Sequence, residues 1–236
     1  HTNTTFSNNQ SLGKVVSLCE GVQPAVGPFV MTVDVILLPD PPPNEIRELP
    51  LPGVLPPCAT ACETGGPVSK SSLVVKKLDT PPGDDTLTFK GELVVPHPFA
   101  PALDPVVAGI AVVIEDAAGA RALDATIPGG AYDPVTKVGW QAARSGTSWK
   151  YLNKSASPVA GITTLTIKDV SKKQPGLLQV KVTGKRGSYP IDTASLPLTG
   201  LLILDPPTAA TGQCGVATFV GPKQSCTTDG KGVKCK

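Results

Sequence analysis

The sequence is poor in the residues on which most binding chemistry rests. Its 236 residues hold two histidines, one methionine, two tryptophans, three tyrosines and five phenylalanines, and charged residues make up 17%. No apolar run approaches the roughly 18 residues that a membrane helix needs. Cysteine never occurs as C-x-x-C, so the usual haem and zinc spacings are missing. There is no Gly-x-Ser-x-Gly elbow, no glycine-rich phosphate loop and no D-x-D-x-D-G calcium loop. Net charge is +2, which gives no general reason to expect nucleic acid.

Glycine and proline, by contrast, are abundant, at 24 and 26 residues. With a hydrophobic fraction of 40%, this composition fits a folded chain of short elements and many turns. Six cysteines, Cys19, Cys58, Cys62, Cys214, Cys226 and Cys235, cluster towards the two ends. An even count of this kind reads as disulfides. Cys226 with Cys235 is the most local pairing. Three cysteines at each end require at least one bridge between the ends if all pair within the chain. The sequence begins at His1 with neither methionine nor leader, which reads as a processed, exported chain at the cell exterior or surface. Asn3-Thr-Thr and Asn153-Lys-Ser match the glycan acceptor pattern.

Three regions follow. Residues 1–67 open with a polar Asn/Thr arm. They continue into the β-branched run Phe29, Val30, Met31, Val33, Val35, Ile36, Leu37 and Leu38, a strand candidate. Eight prolines then fall between Pro39 and Pro57, where an extended polyproline-like spacer is expected.

From about Val68 onward the chain repeats itself. Ser72–Leu78 aligns with Thr164–Val170, 92 residues on. Leu87–Gly91 aligns with Val180–Gly184, 93 on. Gly109 aligns with Gly200, Ala125–Gly129 with Ala217–Gly221, and Gly146–Tyr151 with Gly230–Cys235. Leu87, Phe89 and Gly91 alternate as a half-buried strand requires, as do Val180, Val182 and Gly184. The expectation is an all-β chain of two tandem immunoglobulin-like β-sandwich domains, at 68–158 and 159–236, behind an extended proline-rich N-terminal segment at 1–67. Charge divides the same way. The three regions carry two basic and six acidic, nine and nine, and ten and four side chains.

The string Gly139-Trp140 … Ser145-Gly-Thr-Ser-Trp149-Lys-Tyr151-Leu-Asn-Lys154 resembles a repeat of secreted proteins of predatory and sediment bacteria, over roughly residues 68–236. The resemblance implies export and tandem β domains and supplies no catalytic residue.

The residues point to a structural or interaction protein rather than an enzyme, with no cofactor and no metal. The expected role is a subunit of an extracellular filament or surface layer. Phe29–Leu38 would complete a sheet in the next molecule, giving a head-to-tail homopolymer. One alternative is a secreted carbohydrate-binding module that uses exposed aromatics. Trp140 is the foremost candidate, because Trp149 and Tyr151 align with core-type Val233 and Cys235. Another is a copper oxygenase in which His1 and His97 brace the metal. Asp84-Asp85 and Glu115-Asp116 are the visible carboxylate pairs, each at a turn signal.

Overall fold

A computed structural model describes Cys62, Gly65–Pro206, Thr211–Gly221 and Gln224–Lys236. The fold is all-β, with two sheets of five and eight strands. The strands are β1 (Gly66–Pro67), β2 (Ser69–Lys76), β3 (Asp85–Val94), β4 (Ile110–Glu115), β5 (Arg121–Ile127), β6 (Val138–Ala142), β7 (Ser148–Asn153), β8 (Ile162–Asp169), β9 (Leu177–Gly187), β10 (Thr199–Ile203), β11 (Cys214–Thr218), β12 (Cys226–Thr228) and β13 (Gly232–Cys235). One helical turn, Pro105–Ala108, precedes β4; Asp104 caps it by accepting the Val106 N–H at 3.0 Å.

The alternation seen in the sequence sets the faces. Leu73 and Val75 on β2, Leu87 and Phe89 on β3, Leu165 and Ile167 on β8, and Val180 and Val182 on β9 are all buried. They meet Ile110, Val112 and Ile114 of β4, Leu202 of β10, and Ala217, together with Phe219 just beyond β11, in one core. Two sheets facing each other across one apolar layer form a sandwich. Close approach explains two glycines in it. A Cβ on Gly200 would lie 2.7 Å from the Phe89 ring, and one on Gly184 would collide with the Tyr189 hydroxyl.

The expectation of two tandem immunoglobulin-like domains is corrected by the strand order. The larger sheet runs β12-β13-β2-β3-β9-β8-β7-β6 and the smaller β1-β11-β10-β4-β5. Strands from 68–158 and 159–236 interleave in both sheets and feed the same core. The boundary at residue 158 therefore separates two halves of one sandwich, not two sandwiches.

The repeat itself survives in another form. Exchanging β2–β7 for β8–β13 maps the order of the larger sheet onto its own reverse, and maps β11-β10-β4-β5 likewise. Register agrees. Leu73 faces Phe89 as Leu165 faces Val182. Val75 faces Val233 as Ile167 faces Trp149. Phe89 and Val182, equivalent residues, face each other at the centre. The halves are thus related by a pseudo-twofold axis through the middle of the larger sheet. Each half ends by pairing its last strand, β7 or β13, with the first strand of the other, β8 or β2. One proposed match fails: equating Gly109 with Gly200 would set inward Ile110 on outward Leu201, whereas Gly200 itself points inward at Phe89.

Candidate functional site

Two surfaces stand out, one on the outer side of each sheet. On the five-stranded sheet, outward residues on neighbouring strands form two cross-strand rows. One is Val216, Leu201 and Val113; the other is Cys214, Ile203 and Ala111. The rows end on β5 at exposed Asp124 and Thr126. Ala111, Val113, Ile203 and Cys214 are 0% exposed although they point away from the shared core. Ala111, Ile203 and Cys214 form a cluster of their own, and among the described residues Cys62 packs against it. Cys62 is bonded to Cys214, 152 residues away, with a Cα–Cα distance of 5.7 Å. Just beyond Cys62, β1 pairs in parallel with β11, Gly66 against Gly215 and Pro67 against Val216. The end of the N-terminal segment is therefore fixed on the apolar side and along the β11 edge.

The outer face of the eight-stranded sheet is mostly polar and cationic, with Val74, Val94, Leu152 and Leu177 as its aliphatic outward positions. Its outward positions carry Lys76, Lys90, Lys150, Lys168, Lys181, Lys185 and Lys234, all exposed. Between them lie Thr86, Thr88, Thr164, Thr166 and Thr183. Its one outward carboxylate, Glu92, accepts from Lys70 Nζ at 2.8 Å and from Gln179 Nε2 at 2.8 Å. Those bonds, Lys70 first, hold the Glu92 carboxyl below its ordinary range.

The second disulfide, Cys226–Cys235, joins β12 to β13 at facing positions, with Cα atoms 4.0 Å apart. It is the local pairing that the sequence suggested, and Cys62–Cys214 is the bridge between the ends that the count required. Cys19, Cys58 and the strand candidate Phe29–Leu38 lie outside the described residues, as does His1. Two disulfides are compatible with a non-cytoplasmic, oxidising compartment. Among the described residues, no helix is long and apolar enough to cross a membrane.

The exposed-aromatic expectation for Trp140 is overturned. Trp140 is 2% exposed, its Nε1 donates to the Pro128 carbonyl at 2.9 Å, and its ring sits 5.4 Å from that of Tyr151. Trp149 and Tyr151 are core residues as well. The pseudo-axis supplies the counterpart that the sequence left blank. Trp140 faces Tyr151 at the register where Cys226 faces Cys235 in the other half. One half closes its outer hairpin with an aromatic pair, the other with a covalent bond. Sequence comparison had no signal for this, because tryptophan and cysteine share no chemistry.

The remaining candidates have structural roles. The His97 ring lies edge-on to Phe99 at 5.2 Å. Asp84 accepts from Thr80 Oγ1 at 2.5 Å and from Lys77 at 3.1 Å, which hold its carboxyl low. Asp85 is buried and accepts the Tyr189 N–H at 2.8 Å. Asp116 accepts the N–H groups of Ala118 and Ala120, shaping the turn from β4 to β5. Asn153 donates its amide to the Tyr151 hydroxyl at 3.1 Å and is 5% exposed, so the group a glycan would need is buried and engaged.

No family model, curated protein or solved structure matches this chain.

Proposed function

We propose that the chain is an exported structural subunit, joined to its neighbours by its N-terminal segment. Phe29–Leu38 of one molecule would exchange onto the apolar side of the five-stranded sheet in the next, a side whose Ala111, Val113, Ile203 and Cys214 are shielded from water within a single chain. The supporting observation is that apolar side on β4, β10 and β11, with Cys62 tied to Cys214 within it. An apolar sheet face requires an apolar partner. Phe29–Leu38 has the matching composition, and main-chain pairing would add specificity.

The reach is sufficient. About 24 residues separate Leu38 from Cys62, and an extended chain covers about 75 Å at polyproline rise. The folded part, from Cys62 onward, is about 40 Å across by the scaling of domain size with length. A subunit that lends its segment onward and receives another's makes a heterologous contact, and such contacts grow into filaments or layers when they do not close.

The test is sedimentation and electron microscopy of the full chain over a range of concentration. Assemblies should form, shorten when a synthetic Phe29–Leu38 peptide is added in excess, and vanish in the Val33→Asp/Val35→Asp chain. A single one-chain mass at all concentrations, with the segment covering its own molecule, would overturn the reading.

A further inference from the structure

We propose that the outer face of the eight-stranded sheet binds an acidic polysaccharide, through a cationic trough running across strands β7, β8, β9, β3 and β2. This inference does not depend on the assembly reading; it rests on the opposite side of the sandwich.

The trough consists of two contiguous depressions of about 520 Å³ and 500 Å³ that share Thr166 and Lys181. The first is lined by Lys150, Lys154, Lys181, Lys185 and Arg186, with four threonines and no carboxylate. The second contains Glu92, already engaged by Lys70 and Gln179. Along the ladder, Lys150 faces Thr166, Thr166 faces Lys181, Lys181 faces Lys90, and Lys90 faces Ser72. At ordinary strand spacing this row is about 19 Å long. Lys90 directly opposite Lys181 is a like-charge pair, an arrangement that weakens a sheet unless an anion lies between. Threonine hydroxyls interspersed with the lysines offer donors to sulfate, carboxylate or sugar oxygens.

Backbone irregularities converge on the same trough. The β3–β9 ladder slips between Asp85 and Thr86, leaving Arg186 as the extra residue, at φ +56°. The β8–β9 ladder slips between Ile162 and Thr164, leaving Thr163 extra. Both Arg186 and Thr163 line the first depression. A third slip, between Ser69 and Ser72, holds Lys70 at φ +48° at the second. Bulges re-aim side chains, and a left-handed conformation at a non-glycine residue is tolerated only where something holds it. The internal repeat keeps lysine at two outward pairs, Lys76 with Lys168 and Lys234 with Lys150, but not at the centre of the trough, where Lys90 and Lys181 match Thr183 and Thr88.

A polysaccharide fits better than a nucleic acid. Proteins that hold single strands on a sheet use aromatic side chains as stacking platforms, and the outward positions of these eight strands carry none. The experiment is titration of the full chain with dextran sulfate, polygalacturonate, neutral dextran and an oligo-dT strand, over a salt series. The two acidic polysaccharides should bind and neutral dextran should not. Lys150→Gln/Lys181→Gln should raise Kd at least tenfold and flatten the log Kd–log salt slope by about 1–2. Lys137→Gln/Lys231→Gln removes the same charge outside the trough and should change Kd less than twofold. Arg186→Gly should weaken binding while leaving Tm equal or higher, since glycine accepts that φ. Equal losses in both lysine pairs, no binding of either acidic polysaccharide at low salt, or tighter binding of oligo-dT would overturn the proposal.

Discussion

The two outer faces of one sandwich present opposite chemistry. On the smaller sheet, outward side chains are aliphatic and shielded from water, and a disulfide spanning 152 residues is built into them. On the larger sheet, they are chiefly exposed lysines and half-buried threonines, with a few aliphatic residues such as Val74 and Leu152 among them, and the disulfide there closes a hairpin only nine residues apart in sequence. Both sheets obey the same alternation, so the difference lies in what the outward half of each strand faces. An apolar outward row calls for a further layer of protein. A cationic row rules out such a layer and calls for water or anions.

Mutations on each face should separate accordingly. The largest contrast lies in the bridges. Removing Cys62–Cys214 by serine substitution should cost about 5 kcal/mol on chain-entropy grounds, against about 2.5 kcal/mol for Cys226–Cys235. Urea unfolding of both variants checks the order, and a smaller loss for the long bridge would break the comparison. Ile203→Asp places an unpaired carboxylate in the apolar cluster and should cost about 4 kcal/mol. At the matching outward position of the larger sheet, Lys181→Thr should stay within about 0.5 kcal/mol, with relief of the Lys90 contact favouring stabilisation. A large loss at Lys181 would mean that this face, too, is packed against protein.

The pH limits sharpen the contrast further. Glu92 has a lowered pKa, so its contribution is present above the ordinary carboxylate range and is lost as pH falls through the lowered value. Protonation there also releases Lys70, which should strengthen polyanion binding in acid. Tyr189 behaves in the opposite sense. Burial, with Asp85 nearby, raises its hydroxyl to about 12 from 10.0. Its contribution is therefore complete below pH 10 and declines as pH rises towards 12. Tyr189→Phe should flatten that alkaline decline, as followed by denaturant midpoints between those pH values.

Much of this architecture is legible in the residues. Strict alternation at Leu87–Gly91 and Val180–Gly184 marks central strands, and these are the strands the pseudo-axis joins. The spacing of the repeat is legible too, but its topology is not. A hairpin carries the same pattern whether its outer edge pairs with its own half or with the other, and only long-range pairing decides. The lysine face was hidden by bulk charge. Residues 68–158 balance nine basic against nine acidic side chains, yet the acids Asp84, Asp116 and Asp133 sit in turns while Lys76, Lys90 and Lys150 share one face. Composition sums over both; folding sorts them. The Trp140–Tyr151 and Cys226–Cys235 equivalence was hidden for a related reason, since register rather than side-chain type is what the halves kept.

The most direct measurement is amide hydrogen exchange of the full chain at increasing protein concentration. The account predicts that protection at Phe29–Leu38 rises with concentration in step with assembly mass, while β3 and β9 are protected throughout. Protection of Phe29–Leu38 that is complete and unchanged at the lowest concentration, in a particle of one-chain mass, would contradict it.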